Sequence, residues 1–486
     1  MNWRTISRNI GAALLVSALF MFLSVIVSIL NGHDSALAPL SISFLITFLV
    51  GSFPFIFVRR SANLTLKEGY MIIFLSWFLS FIFGMLPYAL WGGPFTVENA
   101  WFESVSGFTT TGSTILEDIE ALPKSLLFWR SATHFIGGLG VVVFLLLVIP
   151  NSSPIRMRLT NMEVSSLSKD GYSTRANKTV AIFAYVYIGI FVLALVSYWI
   201  AGMSFFDAVC HAFSVCATGG FSTKNLSIGY FDSRAIEILT MVFMYLSTLH
   251  FGLIFLAFAN RSLRPLNNPV VKFYTFMLLA VSVIVSMSLR LDGAAQNWSD
   301  AIRYGFFQTF CVASTTGFGI VDNAGWPLFP GLLLMVMAVI CGCAGSTTGG
   351  VKSDRVLVLL KCIARQVGKI LHPSLVGEIK LGKRVLRDDE VYPHVLYIAL
   401  YGIVLVFSVI AAKALGVNDH SSIAASVSSL GNVGPAIREL GFMGNFDSVP
   451  SGAKVLFTID MFLGRIEIYP VMAVLGMIFD RSGRRR

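Results

Sequence analysis

Four stretches of this chain set glycine beside threonine or asparagine directly after an apolar run. They are AWFESVSGFTTTGS (100–113), AVCHAFSVCATGGF (208–221), GFFQTFCVASTTGF (305–318) and SIAASVSSLGNVGP (422–435). Aligned without gaps on Gly112, Gly220, Gly317 and Gly434, each has a small residue twelve positions upstream: Ala100, Ala208, Gly305 and Ser422. Ser106, Ser214, Cys311 or Ser428 stands midway. The glycines recur about every 100 residues, as an internal repeat would. The shared positions carry no acid or base, so their chemistry is that of the backbone. Glycine tolerates positive φ, which lets consecutive carbonyl oxygens turn to one side. A ring of such oxygens replaces the hydration shell of a cation. Ordinary interhelical turns use the same residue types, but four copies in matched surroundings favour the ring.

The elements that must hold these stretches are apolar. The chain has 486 residues, 55% of them hydrophobic and 13% charged. Runs long enough to span a bilayer are Ile10–Leu30, Leu37–Val58, Tyr70–Trp91, Leu126–Ile149, Val180–Ile200, Ile236–Ala259, Val270–Leu289 and Val391–Leu415. Two more, Leu328–Cys343 and Val455–Phe479, are short or interrupted. About ten spans are expected, and with them an all-α polytopic membrane protein. Each repeat reads as a long helix, a short helix of about three turns, the glycine turn, and a second long helix. The short helix cannot span, so it enters and returns on one side. Irregular backbone at that depth is tolerated only where it is buried or lines water. Four such loops can shield one another around a common axis, with the partially negative C-terminal ends of the short helices aimed at it.

The net charge of +10 reads first as topology. With the N-terminus inside, most of the basic residues fall on the inner side. They include Arg4, Arg8, Arg59, Arg60, Arg156, Arg158, Lys169, Arg175, Arg261, Arg264, a cluster from Lys352 to Arg387, and the Arg481–Arg486 tail. That asymmetry follows the positive-inside rule and places both termini in the cytoplasm. Arg4 and Arg8 precede the first run, and Ala36-Leu37-Ala38 resembles a cleavage site. The apolar core exceeds that of a signal peptide, however, so a retained helix is expected. The six cysteines show no disulfide or zinc spacing.

Two further features interrupt the apolar pattern. GCAGSTTGGVK (342–352) breaks the run that begins at Leu328, the eighth in chain order, where a helix should cross the lower half of the membrane. It lacks the GK[ST] of a phosphate-binding loop; broken helices at this depth line transport paths, or simply end early. Arg465 lies near the middle of the last run. A charge there must face water or a partner, in a structural ion pair or in a pore. Glu467 points elsewhere on a regular helix and is expected to meet a basic or polar group on a neighbour. Glu103, Asp207 and Asp300 either concentrate cations at the outer face or cap helices. His134, His211 and His250 are more simply packed than catalytic. No paired acid, nucleophile or metal set marks an intramembrane enzyme, and none is expected.

The motifs SGFTTTGST (106–114), ATGGFST (217–223), TTGFG (315–319), LGNVGP (430–435), CAGSTTGGVKSDR (343–355) and GRIEIYP (464–470) resemble the TrkH/KtrB/HKT superfamily of potassium transporters, its bacterial TrkH branch above all. The resemblance covers nearly the whole chain. It implies four helix–pore-loop–helix units around one pore: residues 66–155, 156–265, 266–370 and 371–486, after an N-terminal helix pair in 1–65. It implies a K+-selective filter made by Thr110, Thr111 and Gly112, by Thr218, Gly219 and Gly220, by Thr315, Thr316 and Gly317, and by Asn432, Val433 and Gly434. Some relatives carry serine at the first filter glycine and admit Na+; Gly112 favours K+. The fourth loop, GNVG, departs most from TTG. The resemblance also makes Gly345, Ser346, Thr347, Thr348, Gly349 and Gly350 an intramembrane gate loop, with Arg465 as an electrostatic barrier beside it. K+ is then the transported ion, with no other cofactor. The expected partners are membrane lipids, a second copy of the chain, and a cytosolic TrkA-like subunit whose RCK domains bind nucleotide. Lys352, Arg355, Lys361 and Arg365 are expected to dock that subunit. The implied activity is gated, channel-like K+ uptake across a bacterial inner membrane; the alternative is a Na+- or H+-coupled secondary transporter.

Overall fold

The protein is described from a computed structural model covering residues 2–59, 65–148, 176–374, 377–382, 384–435, 440–442 and 444–479. The boundary expected at 155–156, Arg60, the basic residues Arg156, Arg158, Lys169 and Arg175, and the Arg481–Arg486 tail lie outside the described residues. Almost every element is helical, because long apolar segments satisfy all their backbone groups internally only as helices. Two helices open the chain, α1 (Trp3–Leu30) and α2 (Leu37–Phe57). They cross so closely that a Cβ at Gly11 would stand 2.6 Å from Gly51 O.

The same order of elements then recurs. The first unit runs α3 (Leu66–Gly84), α4 (Leu86–Trp91), the short α5 (Val97–Phe108) and α6 (Lys124–Val148). The second runs α7 (Ala176–Ile200), the short α8 (Phe205–Ala217), α9 (Arg234–Thr248) and α10 (Phe251–Ala259). The third runs α11 (Pro269–Leu291), the short α12 (Trp298–Ala313) and α13 (Leu328–Val339). There the backbone leaves the helix, and β1 (Ile340–Cys341) pairs in parallel with β2 (Val351–Lys352) before α14 (Ser353–Leu371). A hairpin of β3 (Ile379–Leu381) and β4 (Arg384–Leu386) leads into the fourth unit. That unit is α15 (Asp388–Ala414), the short α16 (Asp419–Gly431), α17 (Ser451–Ile466) and α18 (Ile468–Phe479).

Among the described residues, six helical spans are long and apolar enough to cross a membrane, and the bent pair α9–α10, counted as one span, makes a seventh. Here the sequence expectation needs correction. Ile236–Ala259 reads as one unbroken span, but the axis turns by 102° between Thr248 and Phe251. Leu249 is extended, and the His250 side chain accepts from Leu253 N to cap the new helix. The break falls in the short stretch Ser247-Thr248-Leu249-His250, and long apolar segments on both sides outweigh it in a hydropathy average.

The buried core closes the four units into a ring. One cluster joins α1, α3, α5 and α6 to Ala424, Phe457 and Val474 of the fourth unit, and to Phe213 of the second. Another joins the second and third units, and reaches Val427 and Val433 of the fourth. Trp101 Nε1 on α5 donates to Thr458 Oγ1 on α17, at the seam between first and last units.

Candidate functional site

The four short helices start alike. Thr96, Ser204 and Asn297 cap α5, α8 and α12 by accepting from Asn99 N, Asp207 N and Asp300 N. Each first turn, including that of α16, carries an acid: Glu98, Asp207, Asp300 and Asp419. Those carboxylates complement the positive helix end. The sequence displayed this pattern, but an alignment centred on the glycines looks away from it.

Past their C-termini the helices turn in the same way. Thr110, Thr218, Thr315 and Asn432 all take positive φ, 54° to 55°. The next amide closes a matching bond each time: Thr111 N to Ser106 O, Gly219 N to Ser214 O, Thr316 N to Cys311 O and Val433 N to Ser428 O, at 2.8–3.0 Å. The midway side chains tie the far end of each turn. Ser106 donates to Ser113 O, Ser214 to Phe221 O, Cys311 to Phe318 O, and Ser428 to Gly434 O, at 2.6–2.9 Å. The fourth loop, the one most divergent in sequence, keeps the backbone pattern and shifts only this last acceptor by one residue. Gly112, Gly317 and Gly434 take positive φ; Gly220 does not.

The glycines face one another in cyclic order. A Cβ at Gly112 would stand 2.6 Å from Gly220 N, and one at Gly220 would stand 2.7 Å from Thr316 O. A Cβ at Gly317 would meet Val433 O, and one at Gly434 would meet Thr111 O, closing the circle. The four turns that carry the twelve expected filter residues therefore approach one another in a closed cycle. Asn432 braces it further, its Nδ2 donating to Thr111 Oγ1 (3.0 Å) and to Met461 O (2.8 Å). On one side the ring opens into a cavity bordered by the four glycines, Arg130 and Lys224.

On the other side lies the broken third unit. The bend in α9–α10 exposes Thr248 O and Phe251 N; Cys343 N donates to the first (2.9 Å) and Gly345 O accepts from the second (3.1 Å). Two interruptions at one depth thus satisfy each other's backbone. The loop also reaches the ring. Thr347 Oγ1 donates to Cys216 O (3.2 Å), Gly349 N donates to Thr315 Oγ1 (3.2 Å), and a Cβ at Gly349 would meet Gly431 O at 2.5 Å. It therefore touches the second, third and fourth units. Arg465 supplies the contact to the first: its guanidinium donates to Thr347 O (2.5 Å) and to Gly137 O on α6 (2.9 Å). Ser346, Thr348 and Gly350 complete the loop, with Ser346 Oγ and Thr348 Oγ1 2.8 Å apart.

Glu467 does not sit on a regular helix. It separates α17 from α18 at φ 68° and pairs with Arg355 Nη2 at 2.7 Å. Arg355 also stacks over Tyr397 at 3.9 Å. Arg355 and Lys352 are consequently buried, and Lys352 Nζ bonds Thr348 O. This overturns the expectation that these two residues dock a partner; a sequence tells that a cation follows a helix break, not which way it points. Lys361 Nζ bonds Lys380 O, and Arg365 pairs with Asp388. The remaining acids and histidines have structural partners. Glu103 is buried against Arg130 at 2.5 Å. Asp207 accepts from Ser204 and Thr223. His211 bridges Asp207 O and Ser222 Oγ, and His134 stacks on Phe221.

Comparison with known proteins agrees with this architecture. Residues 40–481 match the family described as TrkH, cation transport protein. The chain is 33% identical to the Trk system potassium uptake protein TrkH of Vibrio parahaemolyticus, over 99% of this chain and all of that one. It is 32% identical to the protein of the same name from Escherichia coli K12, again over 99% and 100%. The crystal structure of the potassium transporter TrkH from Vibrio parahaemolyticus superimposes with a TM-score of 0.89 at 32% identity, covering 99% of this chain and 100% of that one. On a match that runs through all four units and the ring they enclose, the chain belongs to the TrkH family of cation transport proteins.

Proposed function

We propose that this protein takes up potassium through a channel-like, gated pore. The observation that carries the proposal is the closed ring of four glycine turns, each within Cβ distance of the next. The carbonyls of Thr110, Thr111, Thr218, Gly219, Thr315, Thr316, Asn432 and Val433, with Gly112, Gly220, Gly317 and Gly434, bind K+ in place of water. Short-helix C-termini add partial negative charge. Loop 345–350 and Arg465 form the gate: carbonyls that would otherwise face a cation are held by a guanidinium, whose charge repels K+. The relatives' names, Trk system potassium uptake protein, support the choice of ion.

The cavity side is extracellular and both termini are cytoplasmic, a topology supported by the basic inner segments. The protein acts as a dimer and is regulated by a cytosolic RCK-domain subunit that binds nucleotide. α14 leaves the gate loop directly and presents Leu360, Ile363, Val367 and Ile370 on an exposed stripe. With exposed Lys369, Lys380 and Arg387, it offers a surface through which such a subunit can move the loop.

The test is ion flux in liposomes holding only the purified protein, under opposed K+ and Na+ gradients. A voltage set by K+ alone is expected. The broken spans favour a coupled transporter as the second reading. Flux that saturates and requires a Na+ or H+ gradient would establish that reading and remove the channel.

A further inference from the structure

Asp460 is a carboxyl group in the middle of α17, 2% exposed, at the depth of the ring. A charge in such a place needs a partner, and none of the neighbouring cations provides one. α17 is packed against α5, α15, α16 and α18, and its Phe462 meets Phe74 and Phe81 of α3, a helix whose titratable residues, Lys67, Glu68 and Tyr70, all stand in its first turns. On α17 itself, Lys454 Nζ bonds Asn99 Oδ1, and Arg465 bonds Thr347 O and Gly137 O. On α15, Lys413 pairs with Asp419 of α16, and His394 lies near the far, buried pair of Arg355 and Glu467. Tyr401 of α15 lies within electrostatic range of Asp460 and carries no charge to offer. α5 brings only acids, Glu98 and Glu103, the second of them paired with Arg130. α16 brings Asp419 and His420 at its opposite end, and α18 brings Tyr469, bonded to Pro393 O. Among the described residues no cation lies within ion-pair distance of Asp460. Its hydrogen-bond partner is Ser408 Oγ on α15, which also bonds Ser426 Oγ on α16 at 2.8 Å.

We infer that Asp460, with Ser408 and Ser426, is a buried proton-binding site that braces the fourth glycine turn from behind. With the proton bound, the carboxyl O–H donates to Ser408 Oγ, and Ser408 donates to Ser426. Without it, the carboxylate accepts from Ser408, and the Ser408–Ser426 bond reverses. No other bond is made or broken. Two connections carry this to the ring. Ser426 is two residues before Ser428, whose hydroxyl donates to Gly434 O. Asp460 precedes Met461, whose carbonyl accepts from Asn432 Nδ2. The neutral acid suits the packed, cation-free site. Loss of the proton leaves a charge that α16 or α17 must shift to solvate, and the Asn432–Met461 bond moves with them. K+ flux therefore falls as pH rises. The effect on flux rests on the pore reading above; the proton site does not.

The experiment joins two readouts on the purified, full-length protein. Infrared spectroscopy follows the carboxylic-acid C=O band as pH is varied, in the wild type and in Asp460→Asn. Liposome K+ flux is measured over the same range. The acid band is expected in the wild type and missing from the variant. Flux is expected to drop severalfold as pH rises in the wild type, and to stay near its low-pH level in Asp460→Asn. Absence of a band attributable to Asp460 at every pH overturns the proton site. A pH profile of flux that Asp460→Asn leaves unchanged overturns its coupling to the ring. Should neither protein conduct K+ at any pH, the pore reading fails, and the infrared result alone decides the proton site.

Discussion

Gly112 combines two constraints. Its φ is 84°, and a side chain would run into Gly220 N at 2.6 Å. Both constraints resist substitution, the first by about 1–2 kcal/mol. The second matters more for function: serine at this site must push the first and second turns apart, and a looser ring holds the larger, less strongly hydrated K+ with less advantage over Na+. Gly112→Ser is expected to lower K+ over Na+ selectivity severalfold, read as a shift in reversal potential under bi-ionic gradients. An unchanged potential would remove Gly112 from the filter. The glycines were legible in the sequence because flexible, polar residues stand out in an apolar chain. Lys352 and Arg355 were misplaced on the surface because side-chain direction after a helix break depends on partners, here Thr348 O and Glu467, from elsewhere in the chain. Asp460 raised no signal because one acid in an already interrupted run looks like part of the interruption.

At the scale of elements, the notable arrangement is that, among the described residues, three of the four units break below the ring. The second breaks at Leu249–His250, the third at 340–352, and the fourth at Glu467. Only the third was fully legible, because its break is rich in glycine, serine and threonine. The second is a short polar stretch, Ser247 to His250, inside a long apolar run, and its cause is tertiary: the loop of the third unit supplies the bonds that its helix gives up. The loop is fastened at its neck by the β1–β2 pair, where Ile340 faces Val351 and Cys341 faces Lys352. In folded, monodisperse protein, deleting Gly345–Gly350 is expected to raise K+ flux by about tenfold or more, the effect of removing a barrier of a little over 1 kcal/mol. Arg465→Ala should raise flux in the same direction while retaining the loop. Silence of both variants in folded protein would show that the restriction to flow lies elsewhere.

The whole molecule is held as a ring by contacts between units, and one of these contacts rests on buried charge. Glu103 on α5 accepts from Arg130 Nε, from Thr114 Oγ1 and from Ile115 N. Arg130 in turn reaches the second unit, donating to Ser222 O at 3.1 Å and covering the Phe221 ring at 3.5 Å. Both side chains are at most 2% exposed. The pair thus fastens the first unit to the turn of the second just outside the ring. Removing one partner strands the other's charge in a site with little solvent, a loss of about 3–5 kcal/mol. Replacing both by apolar residues of similar volume strands nothing. Glu103→Gln is therefore expected to lower the melting temperature of the purified protein clearly. The double variant Glu103→Leu with Arg130→Met is expected to recover most of that loss. Recovery of stability need not bring recovery of selectivity, since the double variant also gives up the bond to Ser222 O that positions the second turn. If Glu103→Gln melts like the wild type, the pair is not a fastening, and the seam between first and second units must be held by the packing of Phe213 and Phe221 instead.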